Sequence, residues 1–190
     1  MTTTQWTGKN YRITFLTERL VRLEYQSEGR FEDRPTTAVQ CRDFPPVTVR
    51  EQRLPGRVEL DTPFLHLSYD EKPFSPEGLS LSVKGWLSAY MSDWRYGQPL
   101  STLGGTARTL DQADGEIPVG DGLISRNGFS VLDDSRSMVL REDGTLRPRE
   151  HAEEDLYFFG YGHDYAACLR DFYRLSGPAP LLPRWALGNW

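Results

Sequence analysis

What most limits the fold of this chain is how often it is interrupted. Seventeen glycines and thirteen prolines punctuate 190 residues, and the apolar runs between them are short and alternate with polar residues. Alternation at period two is the pattern of a strand with one buried face, and turn residues at this spacing separate strands rather than long helices. Tyr11 to Leu16, Leu20 to Tyr25, Phe64 to Tyr69, Leu79 to Val83, Phe129 to Asp133, Ser137 to Arg141, Thr145 to Arg149 and Leu156 to Phe159 read as strands. Val47 to Glu51 and Arg57 to Asp61 flank Leu54-Pro55-Gly56, which predicts a hairpin. Helical spacing occurs at one place, through Tyr165, Leu169, Phe172 and Tyr173. Asp164 stands there as N-cap and Ser176-Gly177-Pro178 as stop, so a helix is expected over 164–176. The chain reads as mainly β with one C-terminal helix.

The least ordinary stretch is Leu103 to Ser135. It carries Gly104, Gly105, Gly115, Gly120 and Gly122 together with Asp111, Asp114, Asp121, Asp133 and Asp134. Glycine permits close backbone approach and Asp closes Asx-turns, so a series of turns explains the segment locally. Loops also carry function, and Arg108, Asp111, Arg126 and Asp134 are the polar residues that would contact a sugar or another domain. A second feature is the aromatic run Trp86, Tyr90, Trp94 and Tyr96. Such rings either stack on sugar faces or fill a core, and both readings stay open at this stage.

Charge and motifs exclude several classes. The net charge is −5, with 22 basic residues scattered among 27 acidic ones, so no basic run suits a phosphate backbone and nucleic acid is not expected as a partner. No run approaches the ~20 apolar residues of a membrane span, and MTTTQWTGKNYR lacks a signal's apolar core. No membrane partner and a cytoplasmic location are therefore expected. Cys41 and Cys168 are far apart and read as free thiols. His66, His151 and His163 lie on unrelated elements, which predicts no metal, and the absence of GxGxxG predicts no nucleotide cofactor. Asp133-Asp134 and Glu153-Glu154 are adjacent pairs whose side chains point to opposite faces in a strand, so neither pair can flank one bond as acid and nucleophile. No catalytic residue is assigned.

Four ordered segments carry a family likeness: LGGTARTLD at Leu103 to Asp111, DGLISRNGFSVLDDS at Asp121 to Ser135, DLYFFGYGHDY at Asp155 to Tyr165, and LLPRWALGNW at Leu181 to Trp190. Together they resemble glycoside hydrolase family 31, mainly α-glucosidases and α-xylosidases. The resemblance implies a β-sandwich of the galactose-mutarotase-like supersandwich type, placed ahead of a (β/α)₈ catalytic barrel. It divides the chain into an N-terminal β-sandwich over 1–160 and, over 161–190, a helix and linker leading into the first strand of a barrel not contained here. The family's catalytic carboxylates lie on later barrel strands, and no WxDMNE-like motif occurs in this sequence. The implied partners are the barrel of the same polypeptide and the oligosaccharide substrate of a whole α-glycosidase, with Arg108, Asp111, Arg126, Asp134 and Trp190 as substrate-binding or domain-interface residues. An autonomous carbohydrate-binding module is the alternative. Trp185, Leu187 and Trp190 are expected to lack cover within this chain.

Overall fold

A computed structural model describes residues 4–85, 92–107, 109–179 and 181–187. The β-sandwich expectation holds: among these residues two five-stranded antiparallel sheets and a two-stranded ribbon form the body. The first sheet is built from β1 (Gln5–Thr7), β2 (Tyr11–Phe15), β3 (Leu20–Tyr25), β9 (Ser130–Asp133) and β12 (Glu154–Phe159), in the order β1-β2-β3-β12-β9. The second is a meander of β4 (Arg50–Leu54), β5 (Arg57–Asp61), β6 (Leu65–Tyr69), β7 (Leu79–Val83) and β8 (Asp93–Arg95). β10 (Val139–Leu140) and β11 (Leu146–Arg147) form the small ribbon.

The alternation read from sequence decides which residues meet between the sheets. Ile13, Phe15, Val21, Leu23, Leu156 and Phe158 from the first sheet pack against Val58, Leu60, Leu65, Leu67, Leu81 and Val83 from the second. Trp94 belongs to this core, only 2% exposed and tilted against Phe158 at 5.7 Å. For Trp94 the core reading is the correct one; Trp86 and Tyr90 lie outside the described residues.

The first sheet is buried on both faces. Its outer face carries Leu20, Tyr157 and Phe159, covered by the helix α1 (Tyr165–Ser176) and by residues 38–44. Asp164 caps α1 by accepting from the Ala167 N–H at 3.2 Å, and Leu175 is fully buried. The covering segment is tied down where the Gln40 and Cys41 N–H groups both donate to the Leu175 carbonyl. Thr37 to Cys41 is therefore held as a loop, with a single bridge from Thr36 to Val139 before it. Two-sided cover explains why β3 and β12 are buried at nearly every position.

The Pro55-Gly56 hairpin forms, but β4 starts at Arg50 rather than Val47. Gly56 takes φ +72°, which a side chain at that position would oppose. Residues Arg184–Leu187, expected to begin a strand, form one 3₁₀ turn.

Candidate functional site

The Leu103 to Ser135 stretch separates into parts with different fates. Residues 102–107 and 109–125 form an excursion without strands, pinned at its base by the Thr102–Ser125 bridge and the Leu103 N–H bond to the Ile124 carbonyl. Its two arms meet at glycines: the Gly105 N–H donates to the Gly120 carbonyl at 2.7 Å. A Cβ on Gly122 would lie 2.2 Å from the Gly104 carbonyl oxygen, and one on Gly105 2.6 Å from that of Asp121. The glycines are thus required for close approach and not only for turning. Leu103, Leu110 and Val119 stand exposed on this excursion.

Asp111 is exposed on the excursion, where its N–H donates to Thr109 Oγ1. Arg126 is exposed at the base, its carbonyl accepting from His163 Nε2 at 2.9 Å. Arg108 and Trp190 lie outside the described residues. Asp134 is elsewhere, fully buried behind the first sheet. Its carboxylate accepts from Thr36 Oγ1 at 2.8 Å and from Arg149 Nη2 at 2.9 Å, so within this chain it is buried among polar partners. Burial pushes the Asp134 carboxyl above its ordinary range. Asp133 closes an Asx-turn on the Ser135 N–H, as its position in sequence suggested.

Asp134 belongs to an ion network that sequence reasoning missed. Arg22 is 3% exposed and holds Asp155 through two bonds of 2.8 Å, while Arg149 bridges Asp134 and Asp155. Arg12 holds Glu24 through two bonds of 2.7 Å, and Arg42 donates to Tyr157 Oη at 2.6 Å. The partners are distant in sequence. The available signal was the opposition of Arg22 and Glu24 to the apolar face of β3, joined to Asp155 opposite Glu24 on β12.

One end of the sandwich carries an open cleft of about 580 Å³. Pro63, Phe64, Val83 and the glycine backbones at 85, 160 and 162 line it with Arg19, Lys84, His163 and Asp164. Gly160 is packed so closely that a Cβ would sit 2.4 Å from Leu65 Cδ2. The Arg19 guanidinium lies 3.7 Å over the Phe64 ring and donates to Asp164 at 2.9 Å. Lys84 Nζ bonds Asp61 and, at 2.8 Å, the Thr62 carbonyl. Arg19 and Asp164 are therefore engaged with each other, and Lys84 with groups outside the lining. Asp164, a helix cap, is the one carboxylate among the described residues of the lining.

No family model matches the sequence. The alpha-xylosidase of Saccharolobus solfataricus is 29% identical over 109 residues, which is 56% of this chain and 14% of that protein. A Flavobacterium johnsoniae family 31 dextranase, solved with glucose, matches 95% of this chain with a TM-score of 0.51 at 14% identity. A substituted form of it, solved with isomaltotriose, matches equally. The chain thus resembles glycoside hydrolase family 31 proteins, in sequence over part of an alpha-xylosidase and in fold over part of a dextranase. It spans 27% of the dextranase chain, whose likeness at this identity is one of fold.

Retaining hydrolysis of a glycosidic bond needs two carboxylates about 5 to 5.5 Å apart across that bond. Among the described residues of the cleft no such pair exists. Nor do three or more His, Cys, Asp or Glu side chains gather to hold a metal ion among the described residues. No described helix is long and apolar enough to cross a membrane.

Proposed function

We propose that this chain is the non-catalytic N-terminal domain of a family 31 α-glycosidase, which acts on α-glucosides or α-xylosides, and that its role is to brace the barrel and line part of the substrate pocket. The observation that carries this reading is the apolar run beyond α1. Leu181 is 99% exposed, Leu182 64% and Trp185 83%. Three large apolar side chains left bare within five residues mark a surface made to be covered. The exposed excursion at 102–125, bearing Asp111 with Arg126 at its base, is the second surface assigned to the barrel or its substrate.

The reading is tested with an aryl α-glucoside and an aryl α-xyloside. The purified 190-residue chain turns over neither, and in the whole enzyme Trp185→Ser lowers thermal stability and activity together. Turnover by the chain alone overturns it. Tryptophan fluorescence titrated with maltooligosaccharides tests the binding-module alternative: saturable change supports that module, and a flat response supports the bracing role.

A further inference from the structure

We propose that the free edge of the second sheet is an interface between two copies of this chain, paired antiparallel about Gln52. β4 is an edge strand with all five residues exposed, and among the described residues its one hydrogen-bonded neighbour strand is β5. The direction of its free backbone groups follows from the turn. Leu54 and Arg57 close a two-residue hairpin, so they exchange hydrogen bonds, and bonded pairs then alternate along the strands. Leu54, Gln52 and Arg50 bond inward to β5. Glu51 and Arg53 direct their N–H and C=O groups outward. The next turn agrees: the Thr62 N–H donates to the Leu65 carbonyl at 2.9 Å, so the same alternation gives Leu60 and Val58 to β6 and leaves Asp61, Glu59 and Arg57 for β4.

Charge then selects one register. Centred on Gln52, a two-fold pairing sets Glu51 opposite Arg53 of the second copy, and Arg53 opposite its Glu51, with the outward backbone groups of each facing one another. Centred on Glu51 or on Arg53, it sets like charges opposite, which destabilises a cross-strand pair. Centred between two residues, it sets an outward-pointing residue against an inward-pointing one and loses the bonds. Both side chains already share one face. Glu51 accepts from Trp6 Nε1 at 2.9 Å and lies 2.6 Å from Arg53 Nε, while Arg53 Nη1 reaches Glu71 at 3.3 Å. Charges on an edge commonly deter pairing, and these deter the registers centred on Glu51 and on Arg53 while favouring the one that alternates sign. The arrangement is isologous, so it closes as a dimer and does not propagate. A five-residue edge buries little area, which places the association in the weak class.

Sedimentation velocity over a concentration series of the 190-residue chain tests this. A reversible dimer that weakens with added salt is expected. Glu51→Lys or Arg53→Glu raises the dimer dissociation constant about tenfold, and the combined swap restores it. Glu51→Pro also abolishes the dimer, because the N–H it removes points outward and has no partner among the described residues. Circular dichroism and thermal midpoints verify that each variant is folded; if Glu51→Lys is not, Arg53→Glu and Glu51→Pro decide. A monomer at every concentration overturns the proposal. So does a dimer that both charge reversals leave unchanged, or one that is lost in Trp185→Ser instead.

Discussion

At the scale of single residues, the buried ion network is where the chain is most vulnerable. Asp155 is fully buried and accepts from both Arg22 and Arg149, so its removal leaves two guanidinium groups without their shared carboxylate. Breaking a buried pair from one side costs ~3 to 5 kcal/mol, whereas a solvated pair costs less than about 1. Asp155→Ala is expected in the larger range by urea denaturation, and a loss in the smaller range would mean that the network is hydrated. Nothing local in the sequence announced this. Asp134 and Asp155 look like ordinary turn and strand-end residues, and Arg22 is 133 positions from the carboxylate it holds. The two thiols were legible as free, and burial now separates them. It pushes the Cys168 thiol up to about 12, while Cys41 is half-exposed. An aromatic disulfide reagent should therefore modify Cys41 in the native protein and Cys168 after unfolding; equal rates at both would contradict the packing of α1 on the sheet.

At the scale of elements, what the sequence made legible was whatever pattern survives locally. β2, β3, β7, β12 and α1 fall within a residue or two of where periodicity and capping placed them. β1 and β8 are three residues each, too short for alternation to register, and become strands because β2 and β7 offer them partners. The cap of α1 gives a pH prediction. Hydrogen bonding from the Ala167 N–H and from Arg19 holds the Asp164 carboxyl below its ordinary range. A carboxylate with a depressed native value stabilises the fold above its unfolded range, near pH 4, and the contribution is lost as pH falls through the native value. Asp164→Asn keeps a capping oxygen and loses the charge, so the variant's melting temperature should fall less than the parent's between pH 5 and pH 3. Parallel profiles would show that the charge of Asp164 contributes nothing to α1.

At the scale of the whole molecule, a pattern of alternating strands implies a sandwich with one solvated face on each sheet, and the first sheet departs from that. Leu20, Tyr157 and Phe159 face outward from it and would be bare without α1 and residues 38–44. Leu175 locks both covers together, since its side chain is buried and its carbonyl takes the Gln40 and Cys41 N–H groups. The site was legible only in part for a similar reason. Motif likeness picked out the glycine-rich segment, but whether Asp111, Arg126 and Asp134 act together depends on three-dimensional placement that sequence order does not carry. Two of them lie on or beside the excursion and the third lies inside. The boundary at residue 160 can be tested on the same physical ground. A chain of residues 1–160 keeps every strand of both sheets and loses the helical cover, exposing Tyr157 and Phe159, which together with Tyr161 and Phe172 form one aromatic layer. Loss of a cover over large aromatic side chains should cost several kcal/mol, since each buried one is worth roughly 1.5 to 3. The shortened chain is expected to bind a hydrophobic dye and to melt well below the 190-residue chain. If it melts at the same temperature without dye binding, the sandwich is complete at residue 160, and α1 serves as a connector.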